Sequence, residues 1–411
     1  MADTADIVII GGGIIGLSIA YQTARRSDLR IVVCEKGAGI GEGSTGYSSA
    51  ITRQRYTHES MVRIARDGNN VFRNWAEYTG LDNPAARFNE IGVVWMTGEP
   101  RKQLEEEAAR MRSLRVDAVV IGPDELAELF PSLDPCLEPL DLTGEIDHEC
   151  RVGEAFLFER DAGYFDAMSG ARDLVEASRR EGVDIRFSTE IVDVRTTGGR
   201  IDGVDLKDGS SIDTPMVVNA AGPWCLRVNA MLDYDPGWEL VPTRVQVLHR
   251  SIPPSLGPLP VVGDGSSGIY FRPESNGQSI IVGSFLERDE EEAVDPDHYS
   301  NNADRSFIEE KVIGLHHRIP ELESRGTLGG IAGLYTCNRV DVHAIIGETP
   351  IDGYLIANGF TGHGLKESPM IGSMMAQLIT GKRASFDTDV EITFLSADRD
   401  PIAVATMNVL A

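Results

Sequence analysis

Apolar residues fall into two spacings along this chain. Unbroken runs such as Ile7-Val8-Ile9-Ile10, Ile31-Val32-Val33-Cys34, Met216-Val217-Val218 and Tyr354-Leu355-Ile356-Ala357 are too short for helices and read as parallel strands buried on both faces. Directly after the first run, Ile14, Ile15, Leu17, Ile19, Ala20 and Ala24 recur at helical spacing. Further helices are expected at 59–78, at 99–115, from Pro123 onward, from a cap at Asp166 to a stop at Gly182, at 304–318 and from about Met370 to Thr380. Short strands are expected at 91–96, 184–187, 191–196 and 200–206, with turns at Gly198-Gly199 and Asp208-Gly209. Mostly extended chain over 241–285, turning at 251–260, 263–268 and Ser275-Asn276-Gly277, predicts a second sheet.

The first strand, helix and second strand enclose G-x-G-x-x-G at Gly11, Gly13 and Gly16. Glycine at these places permits a tight turn, close approach of backbone to a pyrophosphate, and close packing of helix on strand. The helix start adds free amides and partial positive charge. Glu35 ends the second strand near the distance of about 20 residues at which an acid accepts from a ribose 2′-hydroxyl. Together these predict a dinucleotide site without a 2′-phosphate. The glycine-rich stretch after Glu35, with Gly43, Ser44, Thr45, Ser48 and Ser49, has side chains small enough for a loop covering that ligand. Small residues also end the strand before Ala221, Gly222 and Trp224, and a glycine turn at 359–364 precedes the last helix.

A chain of 411 residues can hold two domains or one large one. With 38 Lys and Arg against 64 Asp and Glu, its net charge of −26 repels phosphate backbones and argues against nucleic-acid binding. No apolar run approaches the ~20 residues of a membrane span, and the acidic start reads as no signal peptide, so a cytoplasmic location is expected. The five cysteines, Cys34, Cys136, Cys150, Cys225 and Cys337, include no C-x-x-C, and neither a disulfide framework nor a metal site is expected. The run Asp289-Glu290-Glu291-Glu292 is expected to be a solvated loop, and His316-His317 to act at a helix end.

The glycine motif with Glu35, the loop from Gly43 to Arg53, Val218-Asn219-Ala220-Ala221-Gly222-Pro223-Trp224, Gly333-Leu334-Tyr335-Thr336 and Gly359-Phe360-Thr361-Gly362-His363-Gly364-Leu365-Lys366 occur in the order of one family. Through them the chain resembles the D-amino acid oxidase superfamily of FAD enzymes, in its sarcosine oxidase and dimethylglycine dehydrogenase branch. The resemblance implies a mixed α/β and α+β fold: a Rossmann-like FAD-binding domain (1–85, 145–225 and 328–395) interleaved with an antiparallel-sheet substrate domain (86–144 and 226–327), then a tail at 396–411. It implies oxidation of the C–N bond of a small secondary or N-methylated amino acid by hydride transfer to flavin N5, the imine then hydrolysing in water.

The same resemblance implies site residues. FAD would contact Gly11, Gly13, Ile14, Ile15, Gly16, Glu35, Lys36, Gly43, Ser44, Thr45, Ser48, Ser49, Ile191, Ala221, Gly222, Trp224, Gly333, Gly359, Gly362, Gly364, Leu365 and Lys366, while Arg53, Tyr335, Lys366 and His363 would face the chemistry. Lys366 matches the lysine that holds a substrate carboxylate, and Arg53 an arginine set beside the flavin. His363 is expected to shape the turn or bond to cofactor rather than act as a base, His343 to be structural, and Arg272 to be a candidate for the substrate face. Gly333 replaces the cysteine that carries flavin covalently in monomeric sarcosine oxidases, so FAD is expected to be non-covalent. Tyr335 replaces the carboxylate-binding arginine of D-amino acid and glycine oxidases. No lysine lies between Lys207 and Lys311, where sarcosine oxidases carry their oxygen-activating lysine, so oxygen and an electron-transfer acceptor, protein or quinone, are both open. A D-amino acid or proline-type dehydrogenase is the alternative enzyme. The chain also resembles flavoprotein factors that assist assembly of respiratory complex I, which leaves open a role as a complex subunit without catalysis.

Overall fold

The structure is a computed structural model that describes residues 3–140, 147–274, 277–322, 326–408 and 410. Its centre is a six-stranded sheet in the order Ile345–Glu348, Tyr354–Asn358, Val217–Asn219, Ile7–Ile10, Ile31–Cys34, Asp184–Arg186. All neighbours pair in parallel except the first two. The strands come from three distant stretches of sequence, and the inner ones are buried on both faces, as their unbroken apolar runs require.

One face of this sheet is covered by the helix Ile14–Ala24, wedged between Gly364–Thr380 and Ala167–Arg180. Ten of its eleven residues are buried. Leu17 and Ile19 are fully enclosed, each contributing about 1.5–3 kcal/mol of burial. The other face packs against Ile201, Val204 and Ile212 of a four-stranded layer ordered Asp3–Thr4, Ser211–Asp213, Arg200–Leu206, Ile191–Thr197.

An eight-stranded sheet stands beside this unit, in the order Leu328–Asn338, Leu240–Ser251, Ser279–Ser284, Ile269–Pro273, Val261–Asp264, Val93–Met96, Phe156–Glu159, Ala118–Ile121. It is antiparallel except where Val261–Asp264 runs parallel to Val93–Met96. Phe156–Glu159, from the stretch expected in the FAD-binding domain, pairs within this sheet. The helix Arg305–Arg318 covers one face, with Phe307 and Leu315 buried against Ile269 and Phe271. The domain boundary expected at 144–145 and the first two residues of the Ser275-Asn276-Gly277 turn lie outside the described residues.

Three sequence expectations change. The helix expected over 59–78 is two helices, Glu59–Arg73 and Trp75–Thr79, because Asn74 leaves helical geometry. The last helix begins at Gly364, six residues before the expected Met370. Pro369 lies inside this helix and has no amide proton for the Leu365 carbonyl, but the Ser368 hydroxyl donates to that carbonyl at 2.8 Å and the helix continues. The acidic run is not wholly solvated: Glu290 ends a short 3-10 turn and is buried, and Asp289 pairs with the buried Lys311 at 2.6 Å.

Candidate active site

The helix Ile14–Ala24 points its N-terminus at a cleft of about 490 Å³, within the size range of small-molecule sites. Gly11, Gly13, Ile14 and Ile15 line its floor. Gly11 has φ +109°, and a Cβ there would overlap the Ala220 carbonyl. A Cβ on Gly16 would overlap the Gly11 carbonyl, so Gly16 holds the helix against the strand and lies off the cleft surface. The Thr45 hydroxyl accepts from the Ile14 amide at 3.1 Å, filling one of the helix's free donors.

Glu35 also lines the cleft. Its two carboxylate oxygens accept from Gly12 at 2.8 Å and Gly37 at 2.7 Å, so it fixes the glycine turn and keeps acceptor capacity for a hydroxyl. Gly43, Ser44, Thr45 and Ser48 form one wall, Ile191, Ala221, Gly222 and Trp224 another. Lys36 lies over the Trp224 ring at 3.7 Å and binds Asp297 at 2.8 Å. Asp297 also accepts from the Trp224 indole at 2.8 Å and from Arg227. Hydrogen bonds from these groups, Lys36 above all, hold its carboxyl well below the usual range. This latch joins three distant stretches of the chain at the cleft.

At the far end, Gly362, Gly364 and Leu365 enter the cleft as the start of the Gly364–Thr380 helix. Two helix N-termini therefore face one glycine-walled space. A long ligand with a pyrophosphate at one end and an electron-accepting ring at the other fits this arrangement, as FAD requires. Ser49 and Gly333 lie off the cleft surface. A Cβ on Gly333 would meet Tyr47 at 2.5 Å, so the Tyr47 ring occupies the space beside it. Gly359, at φ +73°, serves the turn and also lies off the surface.

Ser48, Tyr335, Gly362 and Leu365 border both the cleft and a second pocket of about 40 Å³. Arg53, Lys366, Tyr270, Val93, Trp95 and Val261 complete much of this pocket. Lys366 stands in the first turn of the last helix, 6% exposed. Among the described residues no carboxylate lies within ion-pair distance of its ammonium, which sits 5.6 Å from the Tyr56 ring centre. Burial, reinforced by the nearby Arg53 charge, pushes its pKa well below the lysine range. Arg53 is also buried, stacks 4.1 Å from the Tyr56 ring centre and donates to the Arg55 carbonyl. Tyr335 is held neutral, its pKa raised by burial and then by Tyr270 and Glu290.

Behind these cations lies a buried polar layer that the sequence did not announce. The Glu159 carboxylate accepts from the Trp95 indole at 2.7 Å and the Gln54 amide at 2.6 Å, and burial raises its pKa. Glu367 is buried beside Lys366, and desolvation pushes its carboxyl up to about 7 against the pull of Lys366 and Arg53. His363 is fully buried and lines neither cavity. Its ring meets Tyr56 edge-on at 5.4 Å and lies 3.7 Å from Glu367, behind the helix rather than facing a ligand. Arg272 likewise turns away from the pocket, donating to the Ser49 carbonyl at 2.6 Å and pairing with Glu274 at 3.1 Å. Tyr47, Thr189, Arg227, Asp297 and Phe360 line the cleft without having been expected there. Tyr47 and Phe360 lie within the glycine-rich loop and the last glycine turn already quoted, whereas Thr189, Arg227 and Asp297 belong to no local motif and arrive through the packing of distant segments.

Comparisons with known proteins bear on the family, the fold and the cofactor. The chain is 28% identical over 419 residues to FAD-dependent oxidoreductase domain-containing protein 1 of Xenopus laevis, covering 92% of this chain and 79% of that one. It is 23% identical over 406 residues to the mitochondrial dimethylglycine dehydrogenase of Rattus norvegicus, covering 94% of this chain but 44% of that longer protein. Among solved structures, L-proline dehydrogenase from P. horikoshii superposes with a TM-score of 0.80 at 24% identity, covering 97% and 98% of the two chains. Glycine oxidase from Geobacillus kaustophilus does so at 0.75 and 20% identity, covering 97% and 100%. A family model described as FAD dependent oxidoreductase matches residues 6–378, and the chain belongs to that family of FAD-dependent oxidoreductases.

Proposed function

We propose that the protein oxidises the C–N bond of a small secondary or N-methylated amino acid. The observation that carries this reading is the small pocket in which Lys366 and Arg53 lie among apolar walls, beside the rim shared with the large cleft. FAD bound in the cleft supplies the ring that accepts a hydride from the carbon next to nitrogen. A buried ammonium without a carboxylate partner is unfavourable, and an entering substrate carboxylate satisfies it with charge-assisted hydrogen bonds. The two cations also disfavour a protonated substrate amine, which must hold a free lone pair before hydride can leave. Val93, Trp95 and Val261 leave room for a small side chain only. Tyr335 and Tyr270, neutral through burial, can donate to the substrate from the rim. The helix N-terminus at Gly364 and Leu365 faces the place where negative charge would develop.

The test is an anaerobic absorbance scan of the yellow protein with sarcosine, dimethylglycine, L-proline, D-alanine and the corresponding amines without a carboxylate. The expected result is fast loss of the flavin band with the N-methylated amino acids and much slower loss with the plain amines. Bleaching by D-alanine alone would replace the substrate class, and bleaching by L-proline alone would narrow it to cyclic secondary amino acids. Absence of bleaching by any compound would overturn the catalytic reading in favour of a subunit role, and admitting oxygen afterwards would distinguish an oxidase from a dehydrogenase.

A further inference from the structure

Far from the cleft, the fold gathers thiols and imidazoles that no local spacing links. The segment after the Pro123–Leu129 helix pairs with residues 151–153: Leu137 donates to the Arg151 carbonyl at 2.8 Å and Gly153 to the Pro135 carbonyl at 3.0 Å. This brings Cys136 beside His148 and Cys150. The C-terminal end of the Arg305–Arg318 helix is fastened to the same place, since the Asp134 amide donates to the Arg318 carbonyl at 2.9 Å and Arg318 donates to the Asp134 carbonyl. The Arg318 guanidinium is itself locked to the buried Asp264 at 2.9 Å. His317, one residue earlier, therefore faces the Cys136 hairpin from a fixed base.

The ligand atoms of Cys136, His148 and His317 all lie within 4.8 Å of one another, and so do those of Asp134, Cys136 and Cys150. Cys136 is buried and common to both sets, while His148 and Cys150 are exposed. A tetrahedral zinc with Zn–S of about 2.3 Å and Zn–N of about 2.0–2.1 Å requires S···N edges of about 3.5 Å and N···N edges of about 3.3 Å. The Cys136 Sγ to His148 Nε2 distance is 3.4 Å, and His148 Nε2 to His317 Nε2 is 3.2 Å, with the rings at 87°. Two edges of such a tetrahedron are thus already set.

The geometry points to a structural zinc site formed by Cys136, His148, Cys150 and His317. Thiolate and imidazole donors select zinc over magnesium or calcium, and four protein ligands leave no open position for catalysis. Zinc displaces the thiol protons of Cys136 and Cys150, which are released to solvent. Asp134 stays beside the site as a turn former, because its carboxylate accepts from the Cys136 amide at 2.8 Å. The ion would clip the hairpin to the helix that covers the eight-stranded sheet. The cysteine spacing alone predicted no metal because the fourth ligand comes from a helix far along the chain.

The test uses the full-length flavoprotein purified under reductant-free anaerobic conditions, stripped with a chelator and titrated with zinc(II) and cobalt(II). The expected result is one tightly held zinc per chain and, with cobalt, the visible bands of a tetrahedral ion plus a thiolate charge-transfer band. His148→Ala and Cys150→Ser, both at exposed positions, should each weaken binding by more than the about 10–100-fold that loss of an outer partner costs. Flavin content should not change. Three results would each overturn the proposal: no binding by the stripped protein, unchanged affinity in the His148→Ala/Cys150→Ser double variant, or a Cys136–Cys150 disulfide in the anaerobically purified chain. Unchanged affinity would mean cation uptake by the acidic surface only.

Discussion

The large cleft and the small pocket share Tyr335, Gly362 and Leu365, yet they are built from different materials. The cleft is walled by backbone: glycines, small residues and two helix starts, with Glu35 spending its carboxylate on the Gly12 and Gly37 amides. The pocket is walled by side chains, largely apolar, with the buried cations Arg53 and Lys366 among them and the buried carboxylates of Glu159 and Glu367 behind. A backbone site tolerates almost no added atoms and is nearly indifferent to pH. A site of buried charges tolerates small changes of shape but depends on every partner's protonation state.

The comparison breaks most visibly at Gly16. A valine there would drive the helix off the strand and close the approach to the Gly11 turn. The expected product of Gly16→Val is colourless protein, checked by the ratio of flavin to protein absorbance, with folding destabilised by about 1–3 kcal/mol or more from overpacking. A variant that retained its flavin would remove the close-packing argument. Glu159→Leu probes the other material. It strips the acceptor from the Trp95 indole and the Gln54 amide and leaves Arg53 with less compensation, so a loss of about 3–5 kcal/mol is expected in denaturant unfolding. Equal stability would mean that the layer is held by packing alone.

His343 sharpens the contrast in pH. Both its ring nitrogens are buried without a hydrogen-bond partner among the described residues, and desolvation, aided by Arg399, Arg53, His58 and Lys366, pushes its pKa down to about 3. The unfolded ring takes up a proton near its ordinary value of about 6.5, where the folded ring does not. Stability from this group is therefore present above pH about 6.5 and is lost as pH falls toward about 3, at up to about 1.4 kcal/mol per pH unit. His343→Asn should flatten that acid limb relative to the parent protein; parallel limbs would contradict the assignment. The smallest effect belongs to the rim. Asp297→Asn weakens an exposed latch by about 0.2–1 kcal/mol, so FAD should dissociate only a few-fold faster, by less at high salt.

The same difference in material explains what could be read in advance. Close approach of backbone requires glycine or small residues at fixed local spacing, so Gly11, Gly13, Gly43, Ala221 and Gly362 stood out before any contact was known. Lys366 was legible through the motif around it. Tyr56, Glu159 and Glu367 were not, because nothing local separates a buried carboxylate from a solvated one. Glu159 is buried because Phe156–Glu159 pairs with Val93–Met96, and Glu367 because the first turn of the last helix is enclosed. Glu290 was misread for the same reason. The last helix was started too late because Gly362-His363-Gly364 and Pro369 are turn residues in sequence, whereas Ser368 repairs the helix in space. His363, placed among residues facing the chemistry by its motif, stands behind the helix because the Gly362 turn aims its ring at Tyr56 and Glu367.

The most direct measurement of the central claim is the effect of Lys366→Met on kcat/KM for an N-methylated amino acid against the amine that lacks its carboxylate. If the buried ammonium holds the substrate carboxylate, the amino acid should lose about 2 kcal/mol or more of transition-state binding, about 30-fold, while the already poor amine changes little. An equal loss for both compounds would mean that Lys366 supports the fold or the cofactor, and the claim that the pocket reads a carboxylate would be wrong.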